Sequence, residues 1–193
     1  MKKIIFSILC LSLLISSCKN EPTVPKDSFT VSGTIQGLDS KFMSTSYTGP
    51  DGNRVSDSVF VENEHFSYTA KINEQTYVVF WPNVESTIKR TGRGYYPVKS
   101  SLFQFLASPG DQIEFKGTIS DFIDAYPSGT DANNDLAIIN KQVYPLMNKS
   151  INIQLRKNLL AKDDAKHQMY QDSIDQLDAQ VVSLKKDFVK SLS

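Results

Sequence analysis

Phe29-Thr30-Val31-Ser32-Gly33-Thr34-Ile35 sets an apolar residue or a glycine at every second position, with a hydroxyl residue between each. A period of two sends alternate side chains to opposite faces of an extended chain, so this stretch predicts a half-buried β-strand and excludes a helix. The same grammar continues outward from it as far as Ile119. Val55 to Val61, then Phe66, Tyr68, Ala70 and Ile72, flank the polar run Glu62-Asn63-Glu64-His65, and the pair predicts a hairpin. Tyr77 to Trp81 is a continuous apolar run stopped by Pro82, and Leu102 to Leu106 is another. Ile113, Phe115, Gly117 and Ile119 alternate once more. Pro50-Asp51-Gly52-Asn53 and Ser108-Pro109-Gly110-Asp111 read as turns, because proline presets φ and glycine tolerates positive φ. About seven or eight short antiparallel strands joined in this way predict a β-sandwich or open barrel over residues 29–127.

The pattern changes after Gly129, the last of the nine glycines. Asn133 to Leu160 is helical in composition, with Leu136, Ile139, Val143 and Leu146 on one stripe, and Pro145 is expected to kink or divide it. A second helix is expected from Asp163 or Asp164, whose carboxylates suit an N-cap and the positive end of the helix dipole. Ile174, Leu177, Val181, Leu184 and Phe188 then keep a 3-4-3-4 spacing, the seam of a helix that packs on a partner. Residues 128–193 therefore predict a helical hairpin turning near residues 161–164, docked on the sheet or on another chain. The whole chain is of α+β class.

At the other end, Lys2 and Lys3 precede a mostly apolar run from Ile4 to Ile15, with the small residues Ser16 and Ser17 before Cys18. That order predicts a signal peptide over residues 1–17, too short for a membrane span of about 20 residues. The ending Ile15-Ser16-Ser17-Cys18 resembles the lipobox of bacterial lipoproteins. The resemblance implies a thioether lipid on Cys18, cleavage before it, acylation of the new amine, and a membrane as the first partner. Two or more acyl chains hold a protein firmly where one holds it marginally. Residues 18–28 are polar, carry Pro22 and Pro25, and read as a flexible tether. Lys19 stands where an aspartate would retain a lipoprotein in the inner membrane, so the resemblance points to the outer membrane of a Gram-negative envelope, with both of its faces open.

The 21 basic and 21 acidic side chains are spread without clusters, which excludes the basic face that a phosphate backbone requires, so nucleic acid is not expected as a partner. Cys10 falls in the leader, and a mature chain beginning at Cys18 would keep one lipidated thiol and no intramolecular disulfide. No cofactor or metal is expected. His65 and His167 fall in a turn and on a helix, and nothing in the sequence joins them. Asp57, Ser58 and His65 could be written as a carboxylate, nucleophile and base, but Ser58 lacks a Gly-x-Ser-x-Gly elbow and reads as the solvent face of a strand.

The loop Thr91-Gly92-Arg93-Gly94-Tyr95-Tyr96 lacks the strand-to-helix setting and Lys-Ser/Thr ending of a phosphate loop. It reads as a hairpin loop. Arg90, Arg93, Tyr95 and Tyr96 are its candidate partner surface, since Tyr and Arg are enriched at interface centres. Asp57-Ser58-Val59 and Asp172-Ser173-Ile174 each resemble the Asp-Ser/Thr-aliphatic acceptor of bacterial O-glycosylation, which makes Ser58 and Ser173 candidate modification sites.

Four motifs carry a further resemblance. They are Phe29-x-Val31-x-Gly33, Asp57-Ser58-x-x-x-Val61 leading to Phe66-x-Tyr68, Leu106-x-x-Pro109-Gly110-Asp111-x-Ile113, and Gly129-Thr130 followed by Asn134-Asp135. Their order over residues 29–190 resembles lipoprotein N-terminal domains of unknown function that precede a thioredoxin-like domain of AhpC/TSA or TlpA type in Gram-negative envelopes. Such relatives would continue past the position of Ser193, and no residue here matches the active-site cysteines of that domain. The expectation is a lipid-anchored, non-enzymatic envelope module that binds or positions a partner. The alternative is the accessory N-terminal portion of a thiol-disulfide or peroxide-reducing protein, truncated before its catalytic domain and working with a thioredoxin-like partner. A small-ligand sandwich would instead show an aromatic-lined pocket.

Overall fold

A computed structural model describes residues 25–161 and 163–192. The leader, Cys18 and most of the tether therefore lie outside the described residues. Ten strands precede two helices: β1 (Ser28–Gln36), β2 (Phe42–Thr48), β3 (Arg54–Glu62), β4 (His65–Lys71), β5 (Thr76–Trp81), β6 (Lys89–Thr91), β7 (Gly94–Tyr96), β8 (Phe103–Ala107), β9 (Gln112–Ile119), β10 (Ile123–Ser128), α1 (Asp131–Lys157) and α2 (Lys166–Ser191). Eight strands form one sheet in the order β10-β9-β1-β4-β3-β2-β5-β8, and β6 and β7 form a separate ribbon. The sheet curls until β8 and β10 approach each other, giving a nearly closed barrel.

The predicted hairpin is β3–β4, with Val61 opposite Phe66 and Glu62 opposite His65. Its turn residues Asn63 and Glu64 have φ of 50° and 63°, the positive pair that matches the twist of a two-residue hairpin. Two expectations need correction. The sheet is not wholly antiparallel, because β9 returns beside β1 in parallel, Val31 opposite Ile113 and Gly33 opposite Phe115. The strand series also continues through β10, which is antiparallel to β9.

The inward set of β1 is the predicted one: Phe29, Val31 and Ile35 are fully buried. Phe29, Phe66, Phe80, Phe103, Phe105 and Phe115 fill the barrel. Phe80 meets Phe105 edge to face at 5.2 Å, and Phe103 meets Phe115 at 5.3 Å, the offset geometry that the ring quadrupole favours. Gly33 makes room for them. A Cβ there would stand 2.6 Å from Cε1 of the Phe66 ring.

Thr130 caps α1, its side chain accepting from the Asn133 N–H. Pro145 lies inside α1 without dividing it. α1 is sandwiched: Tyr126 of β10, Ile139, Val143, Tyr144 and Val181 of α2 form one buried cluster, with Leu136, Leu146, Leu184 and Phe188 packed at its border. The α2 seam thus docks on α1, and α1 on the sheet. α2 begins at Lys166 with Ala165 at the cap position, and Asp164 serves its first turn by accepting from the Lys166 N–H at 2.8 Å.

Candidate functional site

Trp81 ends β5, and Pro82 then forces the chain out of the sheet. The chain returns as the β6–β7 ribbon, whose turn is Gly92-Arg93, and the ribbon folds back over the end of β5. Tyr95 packs on Trp81 with ring centroids 5.3 Å apart at 57°. Beneath the ribbon lies a small cavity of about 100 Å³ lined by Trp81, Ile88, Tyr95, Tyr96, Val98 and Leu102 among others. Trp81 and Leu102 also wall a larger trough of about 550 Å³ on the outer face of β2, β3 and β5. That volume falls in the ordinary range of ligand sites, about 300–1,000 Å³.

The trough floor is built of serines. Ser44 stands opposite Ser58 and Ser46 opposite Ser56, so four hydroxyls form a square on adjacent strands. At one end Arg54 Nε donates to Ser46 Oγ at 2.8 Å. At the other, the next outward positions are Phe42 and Phe60, which also face each other and are 46% and 79% exposed.

The ribbon is pinned from behind. Lys89 of β6 is 4% exposed, donates from Nζ to the Asp121 carbonyl at 2.5 Å, and lies 3.8 Å from the Asp121 carboxylate. That carboxylate accepts from Asn148 Nδ2 at 2.7 Å and Asn152 Nδ2 at 2.9 Å, so the β9–β10 turn, the ribbon and α1 meet at one polar node. Burial pushes the Lys89 ammonium down from its ordinary value, partly opposed by Asp121. The Asn148 amide, with Asn152 and Lys89, holds the Asp121 carboxyl below its ordinary value against some desolvation. Asn158 Nδ2 of α1's end donates to Tyr96 Oη at 3.1 Å.

Among the residues expected from sequence, Tyr95 and Tyr96 come together at the cleft. Arg93 is exposed at the ribbon tip. Arg90 makes an exposed two-point pair with Glu85 at 2.6 and 2.7 Å. Ser58 lies in the trough floor. Ser173 is on α2, its hydroxyl donating back to the Met169 carbonyl. The nucleophile arrangement is not assembled: Asp57 accepts from Tyr68 Oη at 3.1 Å, while His65 Nδ1 pairs with Thr34 Oγ1 at 3.2 Å. His167 Nε2 pairs with the Ala161 carbonyl. Among the described residues, no three His, Cys, Asp or Glu side chains converge as a metal site. Sequence reasoning missed Trp81, Arg54 and the Lys89–Asp121 node. The one available signal was Ser44-Thr45-Ser46 and Ser56-Asp57-Ser58, serine at every second position of two successive strands.

The fold defines a class: an α+β module in which a nearly closed barrel carries a helical hairpin over its seam. Within that class the chain belongs to the domain of unknown function family DUF4369, whose model matches residues 29–136, the barrel and the first turn and a half of α1. Comparison with curated proteins and with solved structures gives no match.

Proposed function

We propose that the protein is a lipid-anchored, non-enzymatic module of the Gram-negative outer membrane, held by Cys18 and binding through the ribbon cleft. The observation that carries the binding role is the Trp81–Tyr95 pair at the junction of cavity and trough. A partly buried tryptophan beside a half-exposed tyrosine at a concavity keeps apolar surface in water that a ligand would cover, and such aromatics supply contact area at little entropic cost. The leader, Cys18 and the polar tether support the anchoring. No helix among the described residues is long and apolar enough to cross a membrane.

The test uses the full-length, membrane-bound protein with a photocrosslinking residue in place of Arg93. A discrete adduct that disappears on adding Trp81→Ala is expected. Absence of any adduct, or an adduct indifferent to Trp81, would sink the reading.

A second reading rests on the motif order, which resembles domains that precede thioredoxin-like enzymes. In that reading the module is the accessory half and meets its thioredoxin-like partner in trans. Co-elution of such a partner with the full chain, lost on Tyr95→Ala, is its signature.

A further inference from the structure

Resting on the binding role just proposed, we infer that the trough on the outer face of β2, β3 and β5 is a glycan site, taking a short chain of pyranose rings. The floor is unusual for strands. Exposed strand positions favour threonine, valine, isoleucine and aromatics, yet all four positions of the square are serine. Small side chains make the concavity, and they make it polar.

The square has regular dimensions: about 5 Å between hydroxyl-bearing positions across the strands and about 7 Å along them. The hydroxyls of Ser44, Ser56 and Ser58 make no hydrogen bond to other described residues, and Ser46 is oriented by Arg54. Each free hydroxyl can both donate and accept. An apolar partner laid on this floor would leave them buried and unpaired, at about 1–3 kcal/mol each. A nucleic acid would meet a single guanidinium, too little for a phosphate backbone.

The walls supply the complementary half. Trp81, Val79 and Leu102 flank the floor, and the exposed pair Phe42 and Phe60 lies beyond its Ser44–Ser58 end. An occupant must therefore present hydroxyls along its edges and polarised C–H groups on its faces, the latter against the negative face of an aromatic ring. A pyranose chain combines both. From Arg54 to Ser58 the floor runs about 13 Å, enough for two or three rings rather than a single sugar. Arg54 keeps its terminal N–H groups for a ring hydroxyl or a carboxylate, so neutral and acidic sugars share this chemistry.

Trp81 is the only tryptophan of the chain, so intrinsic fluorescence reads the trough wall directly. The detergent-solubilised full-length protein is titrated with cellohexaose, chitohexaose, maltohexaose, mannohexaose and, as the acidic arm, hexagalacturonate. A saturable emission change with at least one probe is expected. Calorimetric affinity for that probe should fall at least tenfold in Ser56→Val/Ser58→Val, which suits a strand and keeps the melting temperature, and in Trp81→Ala. A further loss in Arg54→Gln confined to hexagalacturonate assigns the acidic source. No emission change with any probe, or unchanged affinity in the variants, overturns the site. So does a concentration-dependent dimer that the serine variants abolish, since the face would then belong to a second copy. If sugars fail while the Trp81-dependent adduct at position 93 persists, only the glycan assignment falls; if both fail, the binding role falls with it.

Discussion

Asn133, on the first turn of α1, holds Leu106 of β8 as a neighbouring strand would. Its Oδ1 accepts from the Leu106 N–H at 3.0 Å and its Nδ2 donates to the Leu106 carbonyl at 2.8 Å. β8 is the last strand of the sheet order and would otherwise offer these groups unpaired. Nδ2 also donates to Thr130 Oγ1 at 2.8 Å, so the helix cap and the sheet edge share one fully buried amide. The barrel seam is thus sealed by a side chain.

Asn133→Ala should lower stability by about 2–3 kcal/mol, the cost of stranding both Leu106 groups and loosening the cap. Urea denaturation monitored by circular dichroism reads it. Thr130→Ala, which removes the acceptor of the Asn133 N–H and Nδ2 but leaves both Leu106 groups paired, should cost less, on the order of 1 kcal/mol.

Gly33→Ala should destabilise by roughly 1–3 kcal/mol, because its Cβ would meet the Phe66 ring at 2.6 Å and the Phe115 carbonyl at 3.0 Å. Phe66→Leu in the same chain should recover part of that loss. Additive costs in a double-mutant cycle would show that ring crowding is not the cause.

The Lys89–Asp121 node should be asymmetric. Asp121→Ala leaves a buried ammonium with only the backbone carbonyl and should cost on the order of 2 kcal/mol, whereas Lys89→Met should be nearly neutral. Equal losses would argue for a net-stabilising pair.

Both members of the node also set the pH dependence. Asp121 titrates below 3.8 when folded, so its contribution is present above 3.8 and is lost as pH falls through the lower folded value. Lys89 titrates below 10.5 when folded, so stability rises with pH between that lowered value and 10.5. Asn148→Ala removes the main hydrogen bond to Asp121 and should move the acid limb of the melting-temperature profile upward in pH. An unmoved limb would assign it to other carboxylates.

Cys18→Ala should abolish labelling by a fatty-acid probe and release the protein from membranes. Retained label would place the lipid elsewhere.

The barrel was legible where one period dominated. Phe29 to Ile35, Phe66 to Ile72 and Ile113 to Ile119 each have one buried and one wet face, so alternation reported them faithfully. β10 was not legible, because Ala125, Tyr126 and Pro127 are all buried, one face in the barrel and the other under α1, and alternation vanishes. The parallel β1–β9 pairing leaves no local signal at all, since strand direction depends on where a distant segment returns. In the same way the stripe Ile139–Val143 was visible, but Asn133, Asn140 and Asn148 were not expected inside; the Asn133 amide serves the sheet edge and the Asn148 amide the Asp121 node. Of the candidate site, Tyr95 and Tyr96 were readable from loop composition. Trp81 looked like one more residue of a buried run until the ribbon folded across it.

β1 has neighbours on both sides, antiparallel β4 and parallel β9, and residue 28 is its first member. A pull between the N-terminal segment and the ribbon would therefore enter the sheet through a central strand, along its axis. The hydrogen bonds to β4 and β9 lie across that direction and would share the load together instead of parting one by one.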